Sequence, residues 1–135
     1  MSESEPFSAR LGDRRLNAWL GGAEDGLAVV FHWGTPSPPV HWELLDAAAR
    51  ADGLRLIAYA RPGYSGSTRR VGRSIADAAV DTAAVLDELG IGEFVTVGHS
   101  GGGPHALACA ALLPNRCLAA VSLAGVVPFD AKDID

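Results

Sequence analysis

The chain has 135 residues, 48% of them hydrophobic and 20% charged, a composition that suits one globular domain and excludes a disordered chain. Its net charge of −5 argues against a nucleic-acid partner, because binding phosphates requires a basic face. No apolar run approaches the length of a membrane span, and the polar N-terminus lacks the pattern of a secretion signal. We therefore expect a cytoplasmic protein that has no membrane partner.

Strands and helices are predicted to alternate along the chain. Short apolar or alternating runs predict strands at residues 15–20, 27–31, 54–59, 94–98 and 118–124. Apolar residues at helical spacing predict helices at 41–51, 75–89 and 104–113, the second with Ser74 as N-cap and Gly90 as its stop. This alternation indicates an α/β fold, with a mostly parallel, twisted sheet and helices on both faces.

Three loops follow the carboxyl ends of predicted strands, where α/β proteins carry their chemistry. They contain the segments HWGTPSPP from residue 32, ARPGYSGS from residue 60 and GHSGGGP from residue 98. We expect these loops to meet at one edge of the sheet.

The third loop contains Gly98-His99-Ser100-Gly101-Gly102, which fits G-x-S-x-G between a strand and a helix. This pattern is typical of a nucleophile elbow, in which a strained turn projects the serine hydroxyl above the sheet. Gly98 and Gly102 avoid collisions between helix and strand, and the N–H of Gly101 is placed to hold an oxyanion. The alternatives are a turn that only packs or one that binds phosphate, but the lysine and glycine spacing of phosphate loops are absent.

The first loop offers a second oxyanion donor. Acyl transfer needs such a donor opposite the residue that follows the nucleophile. The strand at 27–31 delivers His32, Trp33 and Gly34 to the same edge, and the turn at Gly34 would aim the Thr35 N–H inward. We interpret His32 as a brace for this loop rather than as a catalytic base.

These motifs resemble the N-terminal half of an α/β-hydrolase-fold protein, in the subgroup of proline iminopeptidases, epoxide hydrolases and haloalkane dehalogenases. The segment WGTP resembles the family's H-G-x-P loop, with Trp33 where a histidine usually stands. The segment YARPGYSGS resembles D-x-P-G-x-G-x-S, with Ala60 at the usual aspartate and Ser65 at a usual glycine. The segment at 98–102 matches the family's elbow without departure.

The resemblance implies a function. Ser100 would be the nucleophile, where epoxide hydrolases and dehalogenases use aspartate, so ester or amide hydrolysis of a small-molecule or peptide-like substrate is expected. The backbone N–H groups of Thr35 and Gly101 would form the oxyanion hole, and Gly98 and Gly102 would be the glycines of the elbow. Neither a metal nor a cofactor is implied.

No base for this serine is evident in the chain. The family order is serine, acid, histidine, and the one histidine after Ser100 is His105, five residues on and too close to fold back onto the hydroxyl. His99 is expected to point out of the turn, and His41 opens the helix after the first loop. The acidic residues near the end of the sequence, Asp130, Asp133 and Asp135, resemble the entry to a lid domain more than a triad acid.

We therefore expect residues 1–135 to form the N-terminal part of one α/β-hydrolase domain, with the segment after about residue 129 leading toward a lid. The apolar strand at 118–124 would otherwise be an uncovered edge. A complementary C-terminal segment or polypeptide would then supply the acid, the histidine and further strands. The alternative is a non-catalytic relative that serves as a binding or scaffold protein.

Two smaller features remain. The two cysteines, Cys109 and Cys117, lack metal-ligand spacing and are interpreted as reduced core thiols. A basic cluster in the second loop is interpreted as a solvated surface, with anion binding as the alternative; its members are Arg61, Arg69, Arg70 and Arg73.

Overall fold

A computed structural model describes residues 5–37, 43–128 and 130 of the chain. The six strands are β1 (Glu5–Leu11), β2 (Arg14–Gly22), β3 (Leu27–His32), β4 (Leu54–Tyr59), β5 (Phe94–His99) and β6 (Cys117–Leu123). The three α-helices are α1 (Glu43–Ala51), α2 (Asp77–Glu88) and α3 (Gly103–Leu112), and a short 3-10 turn (Ser100–Gly102) precedes α3. The predicted α/β fold with a mostly parallel sheet is confirmed.

The strands form one mixed sheet in the order β1-β2-β4-β3-β5-β6. Strands β4, β3, β5 and β6 run parallel, whereas β1 and β2 form an antiparallel extension. The chain passes from β3 to β4 on one side and then returns to place β5 on the other side of β3. This reversal creates the switch point at which α/β sheets bind their ligands, beyond the carboxyl ends of β3 and β5.

Two apolar clusters lie on opposite faces of the sheet. Neighbouring strand residues alternate between them, as Ile57 and Leu56 do in β4. The larger cluster packs under α2 and α3, which contribute Val85, Leu86 and Cys109, all at most 1% exposed. The smaller cluster packs under α1. Helices therefore cover both faces, as the alternating pattern predicted.

One strand was missed and one local prediction was wrong. The first strand, β1, was missed, although its apolar residues at positions 7, 9 and 11 alternate with polar ones. Helix α2 begins at Asp77, and Ser74 is not its N-cap. Instead the Asp77 carboxylate accepts the Ser74 N–H at 2.7 Å, because residues 74–77 form a tight turn closed by a bond from the Asp77 N–H to the Ser74 carbonyl.

The predictions for residues 38–42, 129 and 131–135 lie outside the described residues, and these include His41, Asp133 and Asp135. Both cysteines are free thiols, with Cys109 buried and Cys117 partly exposed at the start of β6.

Candidate active site

Ser100 lies at the sharp turn between β5 and α3. Its φ of +52° falls in the left-handed region, which few residues other than glycine adopt. This conformation costs on the order of 1–2 kcal/mol, so it persists because the surrounding structure imposes it. The side chain is partly exposed at the carboxyl edge of the sheet, where a substrate could reach it.

The two flanking glycines are required by close backbone contacts. A Cβ at Gly98 would collide with the carbonyl of Gly102 and lie 2.8 Å from the Cα of Gly103. A Cβ at Gly102 would collide with the carbonyl of His32 and lie 2.6 Å from that of Trp33. Helix α3 can therefore approach β5 and β3 this closely only when both positions lack a side chain.

We predict that Gly102→Ala destabilises the protein by about 3 kcal/mol, because the backbone atoms it would meet cannot rotate away. The same change should disturb the turn that carries Ser100. Gly92→Ala is a matched control, since a Cβ there meets nothing within 4 Å. Chemical denaturation measures both variants; equal stabilities would contradict the prediction.

The loop after β3 lies against this turn. A Cβ added to Gly34 would lie 3.3 Å from the Cβ of Ser100. A Cβ added to Gly101 would lie 3.4 Å from the backbone nitrogen of Thr35. The backbone hydrogen bonds of the described residues leave the Thr35 N–H without an acceptor. The peptide bond from Thr35 to Pro36 is cis. Thr35 and Gly101 thus lie close together beside Ser100.

Arg61 was interpreted as part of a solvated cluster, and this was wrong. Its side chain lies at the carboxyl end of β4 and the residue is only 3% exposed. The guanidinium donates to the carbonyls of Trp33 and Gly34, the latter at 2.9 Å, and to the hydroxyl of Thr35 at 3.2 Å. Its position follows from the sheet, because β3 and β4 are parallel neighbours whose carboxyl ends meet. The sequence analysis missed this role, although a charged residue two positions after a buried strand was an available signal.

The loop after β4 is held against β2 despite the departures at Ala60 and Ser65. The Ser67 hydroxyl donates to the Ala60 carbonyl at 2.7 Å and accepts the Asn17 N–H at 2.9 Å. The Asn17 side-chain amide donates to the Ser65 carbonyl at 2.9 Å. Ser65 has a φ of +46°, which accommodates the turn where the resemblance leads one to expect glycine.

The described histidines do not serve Ser100. His32 is 3% exposed, with its Nε2 3.8 Å from the Cys109 sulfur and its ring edge-on to Tyr59. His105 lies in α3, where its Nδ1 is 2.8 Å from the Gly101 carbonyl and its ring stacks on His32. His99 is exposed. Across residues 5–37, 43–128 and 130, no hydrogen bond joins a histidine to the Ser100 hydroxyl.

Burial keeps both inner histidines neutral. It lowers the pKa of His32 from 6.5 to about 3 and that of His105 to about 4, with the charge of Arg61 acting in the same direction. A depressed pKa means that the unfolded chain takes up protons first as the pH falls. The stability that comes from keeping these two histidines neutral is therefore full above pH 6.5. It is lost as the pH falls from 6.5 toward about 4 for His105 and about 3 for His32.

We predict that the free energy of unfolding falls by a few kcal/mol between pH 7 and pH 4, at about 1.4 kcal/mol per pKa unit. His105→Gln should weaken this dependence, because it removes one of the two groups. Denaturant titrations across this pH range provide the measurement, and His99→Gln is the exposed control. An unchanged slope in His105→Gln would contradict the assignment.

In the part of the chain that the structure describes, no three His, Cys, Asp or Glu side chains form a group suited to a metal ion. Within the same residues, no helix combines the length and apolar character needed to cross a bilayer.

The sequence matches a known protein family. Residues 28–134 match the family described as alpha/beta hydrolase fold. The chain is 35% identical to a non-heme chloroperoxidase of Streptomyces lividans over 113 residues, which are 82% of this chain and 41% of that protein. It is 33% identical to a bifunctional esterase/perhydrolase of Acinetobacter calcoaceticus over 108 residues, 79% of this chain and 39% of the relative.

The solved structures agree. An epoxide hydrolase from Vigna radiata superimposes with a TM-score of 0.75 at 25% identity, covering 94% of this chain and 39% of that one. The thioesterase domain of a curacin biosynthetic pathway has the same fold, with a TM-score of 0.82 at 19% identity, over 97% of this chain and 50% of that domain. The chain thus spans less than half the length of the curated relatives named here. From residue 28 onward, the chain belongs to the α/β-hydrolase-fold family.

Proposed function

We propose that this chain carries the nucleophile of a serine hydrolase that acts on an ester or amide bond. The observation that carries the proposal is the left-handed Ser100 at a strand-to-helix turn, with the loop that contains Thr35 packed against that turn. The family match supports hydrolase chemistry in general, and one relative is named an esterase/perhydrolase.

In this proposal the Ser100 hydroxyl attacks the substrate carbonyl while a histidine takes its proton. The carbonyl oxygen becomes negatively charged in the tetrahedral intermediate. The N–H groups of Thr35 and Gly101 hold that oxygen, and the positive end of α3 adds to the stabilisation. A carboxylate would orient the histidine.

The acid and the histidine would come from a complementary C-terminal segment, in the same polypeptide or in a second one. Large exposed apolar side chains on β6 and in the segment after it support this idea, because a protein in water normally covers such a surface. They are Leu118, Val121, Leu123, Val126 and Val127, each between 46% and 56% exposed. The two free thiols suit a reducing compartment, and we propose the cytoplasm.

A fluorophosphonate probe tests the proposal, since it reacts only with an activated serine. We expect Ser100 to be labelled in the natural assembly, and intact mass with a gel to show the complementing segment. An assembly that contains the segment but leaves Ser100 unlabelled would instead favour a non-catalytic binding protein. That alternative draws on the lack of a histidine at Ser100 among the described residues.

A further inference from the structure

Arg61 is a buried cation whose guanidinium carbon lies 6.0 Å from the centre of the Tyr64 ring. Its hydrogen bonds to the described residues reach one loop, at the carbonyls of Trp33 and Gly34 and the Thr35 hydroxyl. None of the ion pairs among these residues includes Arg61, and its Nε has no hydrogen-bond partner there. A charge buried without a counter-ion is costly, and the three hydrogen bonds of Arg61 offset part of that cost.

The contacts fix one half of the proposed oxyanion hole. The two terminal nitrogens of the guanidinium hold two successive carbonyls, which orients the Gly34–Thr35 peptide that contains the Thr35 N–H. The bond to the Thr35 hydroxyl adds a third restraint. The guanidinium is rigid and planar, so its hydrogen bonds fix the orientation of the two carbonyls as well as their distance.

The hydrogen bonds of Arg61 lie next to two positions at which the sequence departs from the family pattern. The resemblance leads one to expect a histidine at Trp33 and an aspartate at Ala60, and neither Trp33 nor Ala60 has an ionisable side chain. The Trp33 ring instead packs edge-on against Phe31, with ring centroids 4.8 Å apart, on the α1 face of the sheet. Arg61 contacts the loop from the carboxyl end of the neighbouring strand.

We infer that Arg61 is a positioning residue, which holds the Thr35 N–H in the geometry needed for an oxyanion through its bonds to Trp33, Gly34 and Thr35. The inference rests on the proposed function for its effect on catalysis. It does not make Arg61 a catalytic residue, since the guanidinium acts through the loop.

The test compares Arg61→Met with Arg116→Met in the natural assembly. Arg116 serves as the control: it also donates to two carbonyls, those of Ile91 at 2.7 Å and Gly92 at 2.9 Å, but it pairs with Asp87 at 2.8 Å and precedes β6, at the amino end of the parallel strands. For Arg61→Met we expect the rate constant of fluorophosphonate labelling and kcat to fall about 100-fold, with KM little changed. Arg116→Met should keep both rates.

Chemical rescue separates positioning from general damage. Arg61→Ala leaves space for a guanidinium ion, and guanidinium far below denaturing concentrations should restore part of the labelling rate, which it should not do for Arg116→Ala. If Arg61→Met does not fold, Arg61→Lys replaces it, with an intermediate rate expected. Unchanged rates in the folded variants, or a loss that guanidinium does not reverse, would overturn the inference.

A second readout is independent of catalysis. The backbone order parameters of residues 33–35, from nuclear magnetic resonance relaxation, should fall in Arg61→Met and not in Arg116→Met. If the unaltered assembly is not labelled at Ser100, the hydrolase proposal fails, and this readout alone decides the role of Arg61. Equal order parameters in both variants would then refute it.

Discussion

Ser100→Ala is expected to abolish fluorophosphonate labelling and to lower kcat by about 10⁴- to 10⁶-fold, with little change in KM. The hydroxyl is the group that attacks in the proposed mechanism, whereas substrate binding depends on other contacts. Stability should be retained or slightly altered, because Ser100 is partly exposed and alanine removes only the hydroxyl. Steady-state kinetics of the natural assembly provides the measurement.

Ser65→Ala is a demanding control for this prediction. Ser65 has a φ of +46°, close to that of Ser100, but it lies in the loop after β4 and is exposed. A change there alters a strained serine without touching the elbow, so labelling and kcat should stay within a factor of about 2. If Ser100→Ala kept its activity, the reaction would use another nucleophile and the proposed mechanism would be wrong.

The parallel strands could be predicted from the sequence because each is a short apolar run, and β3 and β4 are largely buried. The bounds of β4 agree with the prediction at 54–59, and those of β3 and β5 differ by one residue at the carboxyl end. Strand β1 was missed because its alternation begins beside an acidic, polar terminus, and Ala9 is buried through pairing with β2 and packing in the larger apolar cluster. Tertiary pairing therefore decided a segment whose local signal was weak.

The candidate site likewise has one part that was predictable from a local motif and one part that depends on strand pairing. Ser100, Gly98 and Gly102 are close in sequence, and the turn that joins them is a local structure, so a short motif was enough to predict their arrangement. The contact of Arg61 with the loop at Trp33 joins residues 28 positions apart. It depends on β3 and β4 lying side by side, and composition alone made Arg61 look like one of several solvated arginines.

The exposed edge of β6 leads to the second large prediction. Val121 pairs with Val97 of β5 on the sheet face that α1 covers only near β2 and β4. The side chain is 46% exposed, so an aspartate at this position stays hydrated while the edge is uncovered. Covering the edge with the proposed segment would bury that carboxylate without a partner, at a cost of several kcal/mol.

We therefore expect Val121→Asp to weaken association with a separate complementing polypeptide by about 100-fold or more, at tenfold per 1.4 kcal/mol, and to remove labelling of Ser100 with it. Analytical ultracentrifugation and probe labelling measure the two effects. Where the segment belongs to the same polypeptide, the equivalent result is a lower free energy of unfolding. Val71→Asp, at a loop residue that is 83% exposed, makes the same chemical change away from the sheet and should alter neither. Unchanged assembly, stability and labelling in Val121→Asp would mean that nothing covers β6, and the proposed acid and histidine would have to reach Ser100 by another route.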